Sequence, residues 1–143
     1  MKTESDYRND REYMLIEPGI KPLCDTLNSY DGIVTLYSCE GHPRRPARPY
    51  VSFRAELDEA ELIHDAITAC RDKLTYNWWI TGCFNPEGAW VYCLEPNDVR
   101  FRRRLRFGFL PNWKRERVDL DLEHIRRSIE TTFPHYFRKN RPI

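Results

Sequence analysis

The fold is decided by residues 76–94, which read YNWWITGCFNPEGAWVYCL. Two runs rich in aromatic and β-branched residues flank a central Asn-Pro-Glu-Gly, and such runs are typical of strands. Proline at the second position and glycine at the fourth favour a type I turn at residues 85–88. The stretch therefore predicts an antiparallel hairpin, with strands over residues 76–84 and 89–94.

A second hairpin is predicted upstream, over residues 33–39 (IVTLYSC) and 49–54 (PYVSFR). Both runs have the composition of strands. About ten residues join them, whereas hairpin loops commonly have about two to five. Because long loops are more often functional than short ones, the segment from Cys39 to Arg48 is the first place to look for a site.

Helical patterns precede each hairpin and close the chain. Apolar residues recur with helical spacing after Pro18, after Leu57 and from Asp119 to Thr132. Residues 99–109 alternate loosely between apolar and arginine side chains, which predicts an edge strand with an arginine face. The order is α-β-β-α-β-β-β-α, and the short connections favour antiparallel pairing. We therefore expect an α+β fold, with a mostly antiparallel sheet of four to five strands and helices on one face.

The chain of 143 residues fits one domain. We predict a flexible tail over residues 1–12, a single domain over residues 13–135 and a basic tail over residues 136–143. No apolar run reaches the roughly 18 residues of a membrane span, and the N-terminus has no apolar signal segment. We expect a cytoplasmic protein with no membrane partner, and the sequence leaves the oligomeric state open.

The five cysteines agree with a reducing compartment, because their number is odd and their spacings form no disulfide framework. A four-residue turn in the 76–94 hairpin pairs Cys83 with Trp90 and Ile80 with Cys93. Cys83 and Cys93 are then not directly opposed. We predict no structural disulfide.

The net charge of +1 hides a strong charge pattern. Residues 99–117 contain eight basic residues and one acidic residue, and residues 44–54 contain four arginines and no acid. Segregation of this kind predicts a face that attracts anions.

The turn Ser38–His42, at the end of a predicted strand, is the first candidate site. Gly41 permits a sharp turn. Cys39 and His42, three positions apart, can form a thiolate–imidazolium pair, which would make both residues catalytic and Cys39 a nucleophile. In a binding site, Ser38, Gly41 and His42 would shape the ligand pocket, and Glu40 is a further ligand-binding candidate. The alternative is a tight turn with a half-buried cysteine and an exposed histidine.

Residues 35–42 (TLYSCEGH) resemble the Thr-x-x-Ser-Cys-Ser-Gly-Arg segment of the wybutosine-synthesis methyltransferase family. Members of that family are small α/β enzymes that use S-adenosylmethionine to modify a tRNA guanosine. This chain has Glu40 and His42 where the family has serine and arginine. The resemblance implies an RNA- or nucleotide-related pocket. The residues themselves identify no cofactor, since the chain has no Walker loop, dinucleotide fingerprint or serine-nucleophile elbow.

Arginines from two segments are the second candidate. Three lie in the proline-stiffened loop after His42 and can clamp phosphate through bidentate forks. Four alternate along the predicted edge strand, where they could hold a phosphate backbone while aromatic rings stack on bases. The ligand-binding candidates are Arg44, Arg45, Arg48, Arg100, Arg102, Arg104, Arg106 and Trp113. The alternative is a solvated loop, and strand arginines that pair with acids of neighbouring helices.

Cys39-x-x-His42 also has half the spacing of a zinc site. A second closely spaced pair of ligands is missing, so the sequence assigns no metal.

These patterns predict a protein that binds a phosphate-bearing ligand, RNA or a nucleotide, through the Ser-Cys-Glu-Gly-His turn and the flanking arginines. Two alternatives stay open. One is an enzyme that uses Cys39 or His42 to modify RNA or a nucleotide. The other is a protein-interaction module or inhibitor whose acidic protein partner docks on the arginine strand, for example by strand addition.

Overall fold

The computed structural model of the protein describes residues 15–43, 47–101 and 112–133. Within these ranges the chain forms three α-helices, four strands and two short 3₁₀ turns. In chain order they are α1 (Lys21–Asn28), β1 (Val34–Cys39), β2 (Tyr50–Arg54), α2 (Leu57–Cys70), a 3₁₀ turn (Arg71–Lys73), β3 (Trp78–Phe84), β4 (Trp90–Pro96), a second 3₁₀ turn (Val99–Phe101) and α3 (Arg115–Thr132). None of the helices in these ranges is both long and apolar enough to cross a membrane.

The four strands form one antiparallel sheet with the order β1-β2-β4-β3. Each predicted hairpin is present, and β2 pairs with β4 to join the two hairpins in the middle of the sheet. The predicted α+β class and antiparallel sheet are confirmed. The loop after β1 therefore lies at one edge of the sheet, beside the start of β2.

The helices cover the face of the sheet that carries Val51, Phe53 and Leu94. These side chains pack with apolar residues of all three helices, among them Leu27 of α1, Ile63 and Ile67 of α2, and Ile125 and Ile129 of α3. All are almost completely buried. Truncating one of the large ones, such as Phe53, is expected to cost about 3–5 kcal/mol.

Asp121 of α3 is a fully buried carboxylate that connects this helix to β3. It accepts hydrogen bonds from the backbone N–H groups of Thr75 and Tyr76, at 2.8 and 2.9 Å. The indole Nε1–H of Trp78 donates a third bond at 2.8 Å. Burying a carboxylate is costly unless it is hydrogen-bonded, and here three donors meet it.

The predicted strand at residues 99–109 is wrong over its first three residues, which form a 3₁₀ turn. The side chain of Asp98 is the reason. It accepts bonds from the backbone N–H of Arg100 at 3.0 Å and from the Arg100 guanidinium at 2.7 and 2.9 Å, and these local bonds compete with a strand ladder. Residues 102–109 of the predicted strand lie outside the described residues, as do both predicted tails.

The register of the β3–β4 hairpin differs by one residue from the prediction. Cys83 pairs with Val91, and Thr81 pairs with Cys93. Gly88 has a positive φ of 80° and extends the turn, so that the N–H of Asn85 donates to the carbonyl of Ala89 at 2.9 Å. A type I turn followed by a left-handed residue is a common three-residue hairpin loop. Cys83 and Cys93 are still not directly opposed, and both are free thiols.

Candidate functional site

The chain turns sharply at Gly41, two residues after the end of β1. Gly41 has a φ of 86°, which an L side chain rarely adopts. A Cβ atom there would lie 2.8 Å from Pro49 Cδ and 3.0 Å from Trp113 Cη2. Both the backbone conformation and the close approach therefore require glycine at this position.

The two ends of the loop after the turn pair with each other, as at the base of a narrow hairpin. The N–H of His42 donates to the carbonyl of Ala47 at 2.8 Å, and the two residues form an isolated antiparallel bridge. Arg44 and Arg45, two of the predicted phosphate ligands, lie outside the described residues. The two described ends of the loop are therefore bonded to each other.

Arg115, the first residue of α3, fixes the turn from the opposite side. Its guanidinium donates to the carbonyl of Gly41 at 2.7 Å and to the carbonyl of Glu40 at 2.6 Å, while its Nε donates to Asp119 at 3.0 Å. The planar fork of arginine suits two adjacent acceptors. The sequence placed Arg115 in the basic stretch and gave no sign of this role, because its acceptors lie far away in the chain.

Glu17, just before α1, completes a cluster that the sequence analysis did not identify. Its Oε2 lies 2.7 Å from Nε2 of His42, and its Oε1 accepts a bond of 3.1 Å from the N–H of Glu40. One ligand atom each from Glu17, Cys39 and His42 lie within 4.8 Å of one another. The turn therefore brings side-chain atoms of Cys39 and His42 within 4.8 Å of each other, and Glu17 adds a carboxylate to them.

The Glu40 side chain locks the two segments of this cluster to each other. Its Oε2 accepts a 2.7 Å bond from the N–H of Gly19, while its own N–H binds Glu17. Glu40 was a candidate ligand-binding residue. In the structure it holds the Glu17 turn against the end of β1.

The surroundings of the Cys39 thiol disfavour its ionised form. Burial raises the pKa of Cys39, and the carboxylates of Glu17 and Glu40 raise it further, whereas the N–H of Gly41 at 3.4 Å from Sγ opposes the shift. The imidazole of His42 meets Glu17, not a thiolate. The catalytic roles of Cys39 and His42 stay predictions, and the surroundings of the thiol count against covalent catalysis.

Ser38 lies on the other face of the sheet from this cluster. It pairs with Val51, on the face that the helices cover, whereas Cys39 pairs with Tyr50 on the opposite face. Ser38 lies near the buried thiol of Cys24 and partly offsets the effect of burial, which raises the pKa of Cys24 to about 12. The structure therefore does not bring Ser38 into the site.

The described arginines among the predicted ligands already bind carboxylates. Arg48 pairs with Glu95 at 2.8 Å, and Arg100 pairs with Asp98 at 2.7 Å. The guanidinium of Arg100 also holds the pKa of Asp98 down at about 2. Pairing with acids was the alternative in the sequence analysis, although these acids lie on β4 and beside the 3₁₀ turn and not on helices. Arg102, Arg104 and Arg106 lie outside the described residues.

Trp113 connects the turn to the second arginine-rich segment. Only 7% of its surface is exposed, and its ring stacks on Phe101 with centroids 5.1 Å apart. The buried ring is therefore a packing element and is not presented for stacking on a base. Because Trp113 also touches Gly41, both ends of the segment between Phe101 and Trp113 are anchored beside the loop after β1.

Comparison with protein-family models, with curated proteins and with solved structures finds no match to this chain. The resemblance of residues 35–42 to the wybutosine-synthesis family stays a prediction.

Proposed function

We propose that the protein binds a phosphate-bearing ligand, RNA or a nucleotide, at the corner where the two arginine-rich segments are anchored. One observation carries the proposal. Phe101 and Trp113 stack on each other beside Gly41, so the segment between them and the loop after His42 start from the same place. Two basic segments that are distant in sequence are thereby tethered to one corner of the domain.

The charge for such a ligand comes from residues between the anchors. Arg48, Arg100 and Arg115 bind carboxylates or carbonyls of the protein and so contribute less to binding. Residues 43–47 and 102–112 contain six arginines and no acidic residue. Several arginines at one corner create a positive potential that attracts phosphate and is strongest at low salt.

Single-stranded RNA or a nucleotide fits this corner better than duplex DNA. The arginines of the second segment are flanked by Phe101, Phe107 and Phe109, and basic residues among aromatic ones are typical of single-strand binding. No helix among the described residues carries a row of arginines of the kind that enters a major groove.

The test compares two double variants with equal loss of charge. Arg44→Ala with Arg45→Ala removes two arginines of the loop. Arg54→Ala with Arg127→Ala is the matched control, because both residues are exposed and Arg54 lies at the opposite end of β2 from the loop. Binding of a fluorescent RNA oligonucleotide is measured by anisotropy between about 50 and 200 mM salt, with single-stranded and duplex DNA as competitors.

Affinity falls as salt rises, so the slope of log affinity against log salt is negative. We expect the slope of the loop variant to be less steep by about 1.4, since each single-strand phosphate contact contributes about 0.7. The control pair should leave the slope unchanged. Absence of binding by the unmodified protein at low salt, or equal losses in the two double variants, would contradict the proposal.

A further inference from the structure

We propose that Glu17, Cys39 and His42 form a binding site for a divalent transition-metal ion, with zinc as the best match. The site has three protein ligands and one open position. It is independent of the phosphate proposal, because none of its three ligands is one of the arginines proposed to bind phosphate.

The geometry brings three suitable donor atoms together. One oxygen of Glu17, Sγ of Cys39 and a ring nitrogen of His42 lie within 4.8 Å of one another. In a tetrahedral zinc site, ligand atoms about 2.0–2.3 Å from the metal are about 3.3–3.6 Å apart. Small side-chain rotations reach this spacing from the observed positions, and the 2.7 Å contact between Glu17 and His42 opens by about 0.6 Å as the metal enters.

The backbone around the three ligands is already held in place. The N–H of Glu40 binds the Glu17 oxygen that does not face His42, and the N–H of Gly41 points at Sγ of Cys39. Arg115 holds the carbonyls on both sides of the turn. Contacts of this kind, one step removed from the metal, orient the ligands and raise metal affinity.

The donor set selects the class of metal. Thiolate and imidazole suit zinc, cobalt and related transition metals, whereas magnesium and calcium prefer sites made only of oxygen. On binding, the thiol loses its proton to solvent and a sulfur–metal bond forms. The two negative charges of the thiolate and the carboxylate then balance the two positive charges of the metal ion. Without a metal, this charge balance does not occur.

The site faces solvent on one side. The side chains of His42 and Glu17 are 30% and 32% exposed, and Cys39 is partly exposed. Sites with three protein ligands keep a fourth position for water or a substrate, whereas structural zinc sites are closed by four protein ligands. The cluster therefore fits a metal that binds an exogenous ligand.

The test is a titration of the full chain with cobalt, after extraction with a chelator and under a phosphine reductant. Cobalt bound by a thiolate shows sulfur-to-metal charge-transfer absorption, and tetrahedral cobalt shows intense visible bands. We expect one cobalt ion per chain, displaced by zinc. Cys39→Ser should abolish the charge-transfer band, and His42→Gln should weaken cobalt binding at least about tenfold.

Cys93→Ser is the matched control. Cys93 lies on the same face of the sheet as Cys39, because it pairs with Ser52 of β2, but it is not part of the cluster. It should leave the cobalt spectrum unchanged. Circular dichroism melts of every variant establish that it is folded. A wild-type chain without a charge-transfer band, or a band that persists in Cys39→Ser, would overturn the proposal.

Discussion

Two carboxylates of this protein, Asp121 and Glu17, meet their surroundings in opposite ways. Asp121 is completely buried, and three N–H donors of Thr75, Tyr76 and Trp78 surround it. Glu17 is about one third exposed, and it shares its oxygens between the N–H of Glu40 and the imidazole of His42. The first carboxylate holds two elements together. The second lies beside a thiol and an imidazole, and we propose that these three groups bind a metal ion.

The comparison predicts that a substitution at Asp121 mainly lowers the free energy of unfolding, whereas a substitution at Glu17 mainly weakens metal binding. Asp121→Ala leaves three donors without an acceptor, two of them buried, so it should lower the free energy of unfolding by about 3–5 kcal/mol. Glu17→Gln should lower it by less than about 1 kcal/mol, because the side chain keeps an acceptor and is partly exposed. It should nevertheless weaken cobalt binding at least about tenfold. Urea denaturation and the cobalt titration measure the two effects.

If Glu17→Gln destabilises the chain as much as Asp121→Ala, the cluster at the end of β1 is a structural feature and not a binding site. Asp119→Asn is a useful reference on α3, since Asp119 is an exposed partner of Arg115 and its loss should cost less than about 1 kcal/mol.

A smaller effect is expected at Arg115. This residue lies on the same helix as Asp121 and binds the turn that carries Cys39 and His42. Arg115→Ala removes two bonds to the carbonyls of Glu40 and Gly41 and should lower the free energy of unfolding by about 1–2 kcal/mol. It should also weaken cobalt binding by about tenfold, because the turn that presents Cys39 and His42 loses its support. Arg117→Ala, two residues further along α3 and exposed, should change neither quantity. Normal cobalt affinity in Arg115→Ala would show that the turn is held without it.

The smallest effect concerns Asp98, a carboxylate whose partner is itself charged. The bonds from Arg100 lower the pKa of Asp98 from 3.8 to about 2. The unfolded chain therefore binds more protons than the folded chain between these values, so the contribution of Asp98 is complete above about pH 4 and is lost as the pH falls through 2. We expect about 1 kcal/mol, because Arg100 is partly exposed to solvent.

Comparing denaturation midpoints of the wild type and Asp98→Asn from pH 5 to about pH 2 tests this contribution. The two curves should converge as the pH falls. Parallel curves over the whole range would show that Asp98 is not the group that responds to acid.

Much of the fold could be predicted from the sequence because its signals are local. The runs at residues 33–39, 49–54 and 76–94 gave both hairpins, since strand composition and turn residues lie next to each other in the chain. The register of the second hairpin was wrong by one residue. The left-handed conformation of Gly88 extends the turn, and the sequence alone does not separate this loop from a plain four-residue turn.

The site could be predicted only in part, for the same reason. Cys39 and His42 were found because they are close in sequence. Glu17 lies in a short turn with no pattern, and Arg115 reaches the site from the far end of the chain, so neither could be assigned without the fold. Asp121 did leave a signal. It interrupts the apolar stripe of α3 between Val118 and Leu122, and a charged residue at such a position indicates a buried polar contact.

The strand order β1-β2-β4-β3 also has a consequence for how the chain folds. Each hairpin joins neighbouring stretches of sequence and can close early, at a small cost in loop entropy. The pairing of β2 with β4 joins stretches separated by α2 and the whole of β3, and such non-local contacts slow folding. We therefore expect the slow step to be the meeting of the two preformed hairpins at the central seam, where Val51 meets Leu94.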